Sequence, residues 1–543
     1  MAENQLNGTM LQGFSWNLPA DGQHWRRLAH MAERLVNTGF TSVWLPPAYK
    51  GQAGIKDVGY GVYDLWDLGE FDQKETVPTK YGERRDYETC VFALQQAGLD
   101  VLADIVLNHK MGADATEKVM ARQVAQDNRL QDVTELEPIT AWTRFDFPGR
   151  AGELDDFTWN WKHFKGTDYN DDTKSNGIWL FEGKGWDPDV DQEAGNFDYL
   201  MGNDIDLHNK EVYQQLVKWG VWYLQTSGVD GVRLDAVKHM SKSFYQKWLA
   251  DVRKEVGKEL FCVGEYWSYR VENLISYLDG NQTMSLFDVP LHFAFYNASV
   301  NRDGIDFAHM LDGSFVSVDP VHAVTFVENH DTQPNQALES TVQPWFKPVA
   351  YAIILLREAG YPCVFLSDLF GLPNDEIPAV AELPLLMEVR RRFAFGPQHD
   401  YLDERDLAGC TREGDSATDE DGVAVVLCNR PFPEVSDVTP VEQPDPAESD
   451  EDAAEDGQDA HDHDDEVADE SWTDAPNVPC KEMYVGKVHA GETWRCVLGD
   501  VNDVIINADG VGAFPGSETS MVSVYLPESA AANLDAFPIV RER

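Results

Sequence analysis

The residues best equipped for chemistry lie in Gly228-Val-Asp-Gly-Val-Arg-Leu-Asp-Ala-Val-Lys-His239. Side chains on a strand alternate with period two. Val232 and Leu234 therefore face one way, and Arg233 and Asp235 face the other together. A fixed cation beside Asp235 favours the anion, which is the form a carboxylate nucleophile needs. The same pattern suits a structural ion pair at a strand end, since ion-pair networks also perturb ionisation without catalysing anything. Three further stretches bear on the choice: Asp104-Ile-Val-Leu-Asn-His109, Gly264-Glu-Tyr-Trp267 and Phe326-Val-Glu-Asn-His-Asp331. Each is an apolar strand candidate that ends in polar residues. Clustered carboxylates repel and raise one another's affinity for protons. A purely structural role for Asp235, Glu265 and Asp331 together is hard to reconcile with that cost. They make sense if one is an anion, one holds a proton, and all face a polar substrate. Two carboxyl groups flanking one bond are the apparatus of glycoside hydrolysis. Tyr60 and Trp267 offer aromatic faces for sugar rings, although each would also serve as a core or rim aromatic. A zinc site built on His109, His239 and His330 is disfavoured, because no HExxH spacing occurs.

Four strand ends must then meet on one face. Short apolar runs at 9–14, 40–45 and 99–107 alternate with helical spacing at 23–35 and 87–96. Such alternation, with near-continuous apolar strands, predicts a parallel sheet covered on both sides. Residues 110 to about 210 break the rhythm and predict an irregular inserted domain. The alternation resumes with helices at 210–225 and 243–256, and with strands through Asp235 and at 259–264, 285–288, 323–327 and 363–366. Eight strand candidates favour an α/β fold of the closed (β/α)₈ TIM-barrel type, with chemistry at the C-terminal strand ends. Beyond residue 400, strands such as 422–427 and 521–526 predict a small antiparallel β-sandwich. The expected domains are a catalytic barrel over 1–109 and 211–398, an inserted domain over 110–210, and a β-sandwich over 399–543.

Charge narrows the partners. The formal net charge is −51, and residues 434–474 carry 18 acidic residues with no Lys or Arg. Nucleic acid and anionic membranes are excluded as partners, because both require basic patches. Subtracting those 18 from −51 leaves −33, so the acidity is also global. High salt screens such self-repulsion, which predicts a halophile's salt-rich cytoplasm. The segment 431–479 reads as a disordered acidic insert in the sandwich. Within it, Asp459-Ala-His-Asp-His-Asp-Asp465 reads as a solvated charge run rather than a metal site. Seven scattered cysteines form no CxxC, which argues for reduced thiols and against a disulfide framework. No secretory signal and no membrane span are seen, so a cytoplasmic monomer is expected.

At these motifs the sequence resembles the α-amylase family, glycoside hydrolase family 13, and most closely its liquefying bacterial and intracellular types. Trp44-Leu-Pro-Pro-Ala-Tyr-Lys-Gly51 and Met483-Tyr-Val-Gly486 extend the likeness over nearly the whole chain except the acidic insert. The resemblance implies retaining endo-hydrolysis of α-1,4-glucosidic bonds in starch, glycogen or maltodextrins. Asp235 would be the nucleophile, Glu265 the general acid/base and Asp331 the transition-state stabiliser. Arg233 would orient Asp235. His109, His330 and Tyr60 would hold the sugar at the cleaved bond, and Lys238, His239 and Trp267 would serve the leaving-group side. A family transglycosylase or oligosaccharide-specific hydrolase would use the same three carboxyls. A non-catalytic glucan-binding member should lack one of them, and none is missing. The resemblance further implies one structural Ca²⁺, with ligands from Asn108, Asp198, Asp204 and the backbone carbonyl of His239. Secreted liquefying relatives carry a calcium–sodium–calcium cluster built on extra aspartates. Here Asp187 and Asp206 remain, but Lys165 and His208 stand where two of those aspartates are expected, so a single ion is expected.

Overall fold

The structure is a computed structural model that describes residues 7–280, 283–372, 374, 377–415, 421–429 and 479–535. Apart from Pro479, the expected acidic insert lies outside the described residues. Eight parallel strands close into one barrel. They are β1 (Met10–Gln12), β2 (Ser42–Leu45), β3 (Asp100–Ile105), β4 (Gly231–Leu234), β5 (Phe261–Gly264), β6 (Ser285–Phe287), β7 (Ala323–Phe326) and β8 (Tyr361–Phe365). All eight were legible as apolar runs, and β1 closes the ring by pairing with both β2 and β8.

Two registers place the polar strand ends side by side. Arg233 on β4 lies opposite Asp104 on β3, and opposite Val263 on β5. Helix Lys210–Ser227 delivers the chain to β4. The Asn209 side chain caps it by accepting from the amide of Glu211 at 2.9 Å, and Gly228 ends it in the left-handed region at φ 71°. Trp219 and Tyr223 of that helix are buried against the barrel, beside Tyr49.

Between β3 and β4 the structure departs from the expectation of irregularity. Six strands form an antiparallel sheet in the order His109–Lys110, Asn203–Ile205, Phe164–Asn170, Ser175–Phe181, Ala115–Val124 and Glu137–Arg144. The period-two signal was weak for a physical reason. In Ala115–Val124 only Val119, Ala121 and Val124 are buried, so most of the strand is polar. The two strands nearest the barrel have two and three residues, too short to show a period. After the barrel, a six-stranded antiparallel sheet and the two-stranded sheet Cys480–Tyr484 with Val511–Pro515 enclose a second core around Met483, Trp494, Phe514 and Tyr525.

A buried ion pair ties the inserted segment to the hairpin of Lys50–Gly51 and Val62–Asp64 that follows β2. Arg150 Nε donates to Asp64 Oδ2 at 2.8 Å, and both side chains are about 1% exposed. Arg150 also donates to the carbonyls of Glu153 and Asp155. Removing one partner of such a pair strands the other without compensation. Arg150→Ala is therefore expected to lower unfolding stability by about 3–5 kcal/mol, read from the denaturant midpoint. A loss below about 1 kcal/mol, the value of an exposed pair, would refute this.

Candidate active site

The barrel's upper face is organised by one guanidinium. Arg233 Nη1 donates to Asp104 Oδ1 at 2.9 Å and to Asp235 Oδ1 at 2.6 Å, while Nη2 donates to Glu265 Oε2. The Arg233 side chain is 1% exposed, whereas Asp235 and Glu265 keep about a tenth of their surface open to the cleft. Its charge also lies over the Trp44 ring at 5.0 Å. Asp104 is held from the other side by Tyr60 Oη at 2.9 Å and Trp44 Nε1 at 3.0 Å. Immediately after Asp235 the backbone of Ala236 is left-handed, at φ 51° and ψ 36°. A non-glycine residue held there stores strain, and in this loop the Ala236 amide points at Glu265 Oε2, 3.3 Å away.

Desolvation and mutual repulsion set the protonation. Burial pushes Glu265 up to about 8, opposed by Arg233 and reinforced by Asp235 and Asp331. Burial likewise raises Asp331 to about 7 and Asp104 to about 6, each opposed by Arg233. One cation faces four carboxyl groups, so near neutral pH the cluster keeps a proton, and Glu265 is its strongest holder.

The remaining residues line the cleft. Gln12 donates its amide to His330 Nδ1 at 3.0 Å. The proton of His330 therefore sits on Nε2, which is buried without a hydrogen-bond partner and lies 3.3 Å from Asp331 Oδ2. Burial holds this imidazole well below its usual range, so it is neutral. His109 Nε2 donates to the Tyr60 carbonyl at 2.8 Å, and burial lowers its proton affinity too. Tyr60 packs with His330 at 5.0 Å and Trp16 at 6.0 Å, and those two rings lie 6.2 Å apart, so the three near-parallel rings form an aromatic floor. On the other side, Lys238 and Trp267 line a cavity of about 1180 Å³ together with Tyr266, Tyr269 and Glu193. Lys238 reaches across it to Glu193 of the inserted domain. His239 turns away, donating Nδ1 to the Phe197 carbonyl at 2.8 Å.

Residues 32–383 match the family described as alpha amylase, catalytic domain. The chain belongs to the α-amylase family. It is 44% identical to an alpha-amylase of Geobacillus stearothermophilus, over 98% of this chain and 89% of that protein. It is equally 44% identical to the cytoplasmic alpha-amylase of Escherichia coli (strain K12), over 78% of this chain and 88% of that protein. Its fold is shared with the crystal structure of an alpha-amylase from Geobacillus thermoleovorans complexed with acarbose. The TM-score is 0.56 at 16% identity, covering 96% and 98% of the two chains.

Within this α-amylase-family barrel, sequence reasoning passed over Asp104, Gln12, Trp16 and Glu193. Asp104 did leave a signal, since it opens the polar-ended run 104–109 and pairs in register with Arg233. Gln12, Trp16 and Glu193 come from loops and a three-residue strand, where no period singles out a residue. The residues expected around calcium also converge. Ile205 donates its amide to the Asn108 carbonyl at 3.0 Å, Asp204 lies opposite His109, and His239 abuts the residue before Asp198. The Lys165 ammonium sits among them, 2.6 Å from Asp198 Oδ2, 2.9 Å from Asp187 Oδ2 and 3.6 Å from Asp204 Oδ2. His208 Nε2 covers Asp187 Oδ1 at 2.9 Å, and Lys184 takes Asp206 at 2.6 Å. Among the described residues no three His, Cys, Asp or Glu side chains gather as a metal site.

The electrostatics fix a pH dependence. As the group proposed below to act as general acid, Glu265 must be protonated, and it loses its proton as pH rises through about 8. The value of kcat/KM is therefore expected to fall about tenfold per pH unit above that point. Initial rates between pH 5 and 10 check this, and an undiminished rate at pH 10 would remove Glu265 from the acid's role.

Proposed function

We propose that this enzyme cleaves internal α-1,4-glucosidic bonds of starch, glycogen or maltodextrins with retention of anomeric configuration. Asp235 attacks the anomeric carbon while Glu265 gives its proton to the departing glycosidic oxygen. Glu265, now the base, takes a proton from the water that cleaves the glycosyl–Asp235 ester. Asp331 forms no bond to the sugar and holds the distorted ring against the developing positive charge. His330 Nε2–H and His109 bind hydroxyls of that same sugar, with Tyr60 beneath it. Lys238, His239 and Trp267 serve the leaving-group side. The observation that carries this reading is the shared guanidinium. Asp235 sits on one terminal nitrogen of Arg233 and Glu265 on the other, so one fork gathers the two carboxyls that a retaining mechanism needs on either side of the cleaved bond.

The family membership brings one calcium ion into the reading. Asn108, Asp198, Asp204 and the His239 carbonyl are all-oxygen donors, which suit Ca²⁺. Asp204 Oδ2 is buried without a hydrogen-bond partner, which fits an ion there. Such an ion would tie the inserted sheet to β4 and supply no chemistry. A second and third ion do not fit, because Lys165 and His208 take Asp187 and Lys184 takes Asp206, the further carboxylates that would bind them. Metal analysis of the purified protein is expected to give no more than one calcium per chain. Lys165→Asp is expected to raise that number and to make the melting temperature more sensitive to chelator. Two or more tightly held ions in the unaltered protein would overturn this.

The charge of −51 supports a monomer working in a salt-rich cytoplasm. Among the described residues no helix is long and apolar enough to cross a membrane. A time course on soluble starch, with and without molar KCl, tests the whole reading. Expected are rapid loss of iodine staining, α-anomeric oligosaccharides, higher rates in salt, and loss of activity by at least about 10³-fold in Asp235→Asn. Transfer products on short oligosaccharides without starch hydrolysis would point instead to a transglycosylase.

A further inference from the structure

Beneath the cleft lies a buried charged chain that takes no part in bond cleavage. Asp331 lies in the loop after β7, where its carboxyl faces His330 Nε2 at 3.3 Å. Its backbone is held separately. The Asn329 side chain accepts from the amides of Asp331 at 2.8 Å and Thr332 at 2.9 Å, and Thr332 Oγ1 accepts from the Asn329 amide at 3.0 Å. The Thr332 hydroxyl in turn donates to Glu328 Oε1. Glu328 Oε2 lies 3.4 Å from Lys347 Nζ, and Lys347 donates to Asp368 Oδ1. Tyr351 Oη closes the chain by donating to Asp368 Oδ2 at 2.7 Å. Glu328, Thr332, Lys347 and Asp368 are all at most 1% exposed. They come from three elements: the loop after β7, helix Lys347–Leu356, and the short helix Leu366–Phe370 that follows β8.

Buried ion pairs are a poor way to gain stability, because desolvation offsets the Coulomb attraction. Three charged side chains under one loop are better understood by what they fix. We infer that Thr332, Glu328, Lys347 and Asp368 are positioning residues, clamping the 328–332 loop so that Asp331 meets the sugar at the cleaved bond. None of them touches substrate. The inference rests on the role proposed for Asp331. A misplacement of about 1 Å at a reacting group can cost on the order of 100-fold in rate.

The test compares Thr332→Val, which keeps shape and removes the donor, with Thr332→Ser, which restores it. Thr332→Val is expected to lower kcat about tenfold or more, with KM for maltoheptaose and the melting temperature little changed. Thr332→Ser is expected to recover kcat to within about threefold of the unaltered enzyme. Lys347→Met provides a second entry to the same chain should Thr332→Val fail to fold, with the same split between kcat and KM expected. In an Asp331→Asn background either change should cost nothing further, because residues acting as a unit are not additive. A folded variant with kcat within about twofold of the unaltered enzyme overturns the inference. So does a loss that persists undiminished without Asp331. If Asp331→Asn itself keeps full activity, the role of Asp331 fails instead, and the two failures are told apart.

Discussion

Everything at the cleft depends on one buried guanidinium that is outnumbered. Arg233 contacts Asp104, Asp235 and Glu265, and Asp331 feels its field from across the cleft. A single positive charge cannot satisfy four negative ones in a dry site. Protons supply the difference, and they go where desolvation and the neighbouring carboxylates outweigh the pull of Arg233. Glu265 and Asp331 are raised furthest, to about 8 and about 7. Ordinary carboxyl groups of one cluster are thus differentiated by environment, which in the proposed mechanism lets Glu265 serve as the acid. Replacing Arg233 by lysine would keep the charge and lose the fork. A point charge cannot present separate parallel donors to two carboxylates at once.

The surrounding structure serves to hold that fork still. β3 and β4 are paired so that Asp104 and Arg233 are neighbours in register, and Trp44 from β2 lies under the guanidinium. The left-handed Ala236 turns the chain sharply after Asp235 and aims an amide at Glu265. The cost of that strained residue is borne by the fully buried strands and by the capped helix before β4. Fixed dipoles and charges arranged in advance need no reorganisation when the bond breaks, which is where much of an enzyme's rate enhancement arises.

How much of this could be read from the chain depends on where each piece lies. The barrel was legible because every one of its strands is an apolar run, buried on both faces. The three carboxyls and Arg233 were legible because they end those runs, at positions the barrel topology brings together. The inserted sheet was not, since its strands are short or half polar and take their order from pairings between distant segments. Gln12, Trp16 and Glu193 were invisible for a related reason. A loop residue acquires its role from its neighbours in space, and sequence spacing does not encode them. The chain from Thr332 to Asp368 shows the same limit, because its members are scattered over three separate elements.

Lys165 shows how a departure from a family pattern can be the more informative observation. A lysine among Asp187, Asp198 and Asp204 would be an error if those aspartates were surface residues, because a solvated cluster needs no ammonium. They are buried, with side chains at most 2% exposed, and so is Lys165. In that setting a positive charge is obligatory, and the choice is between a metal and a side chain. A metal must be supplied by the medium and can be lost to it, whereas Lys165 is covalent. The carboxylates around it hold its proton above the ordinary lysine range despite burial. The inserted domain is thereby pinned across its central strand without waiting for an ion.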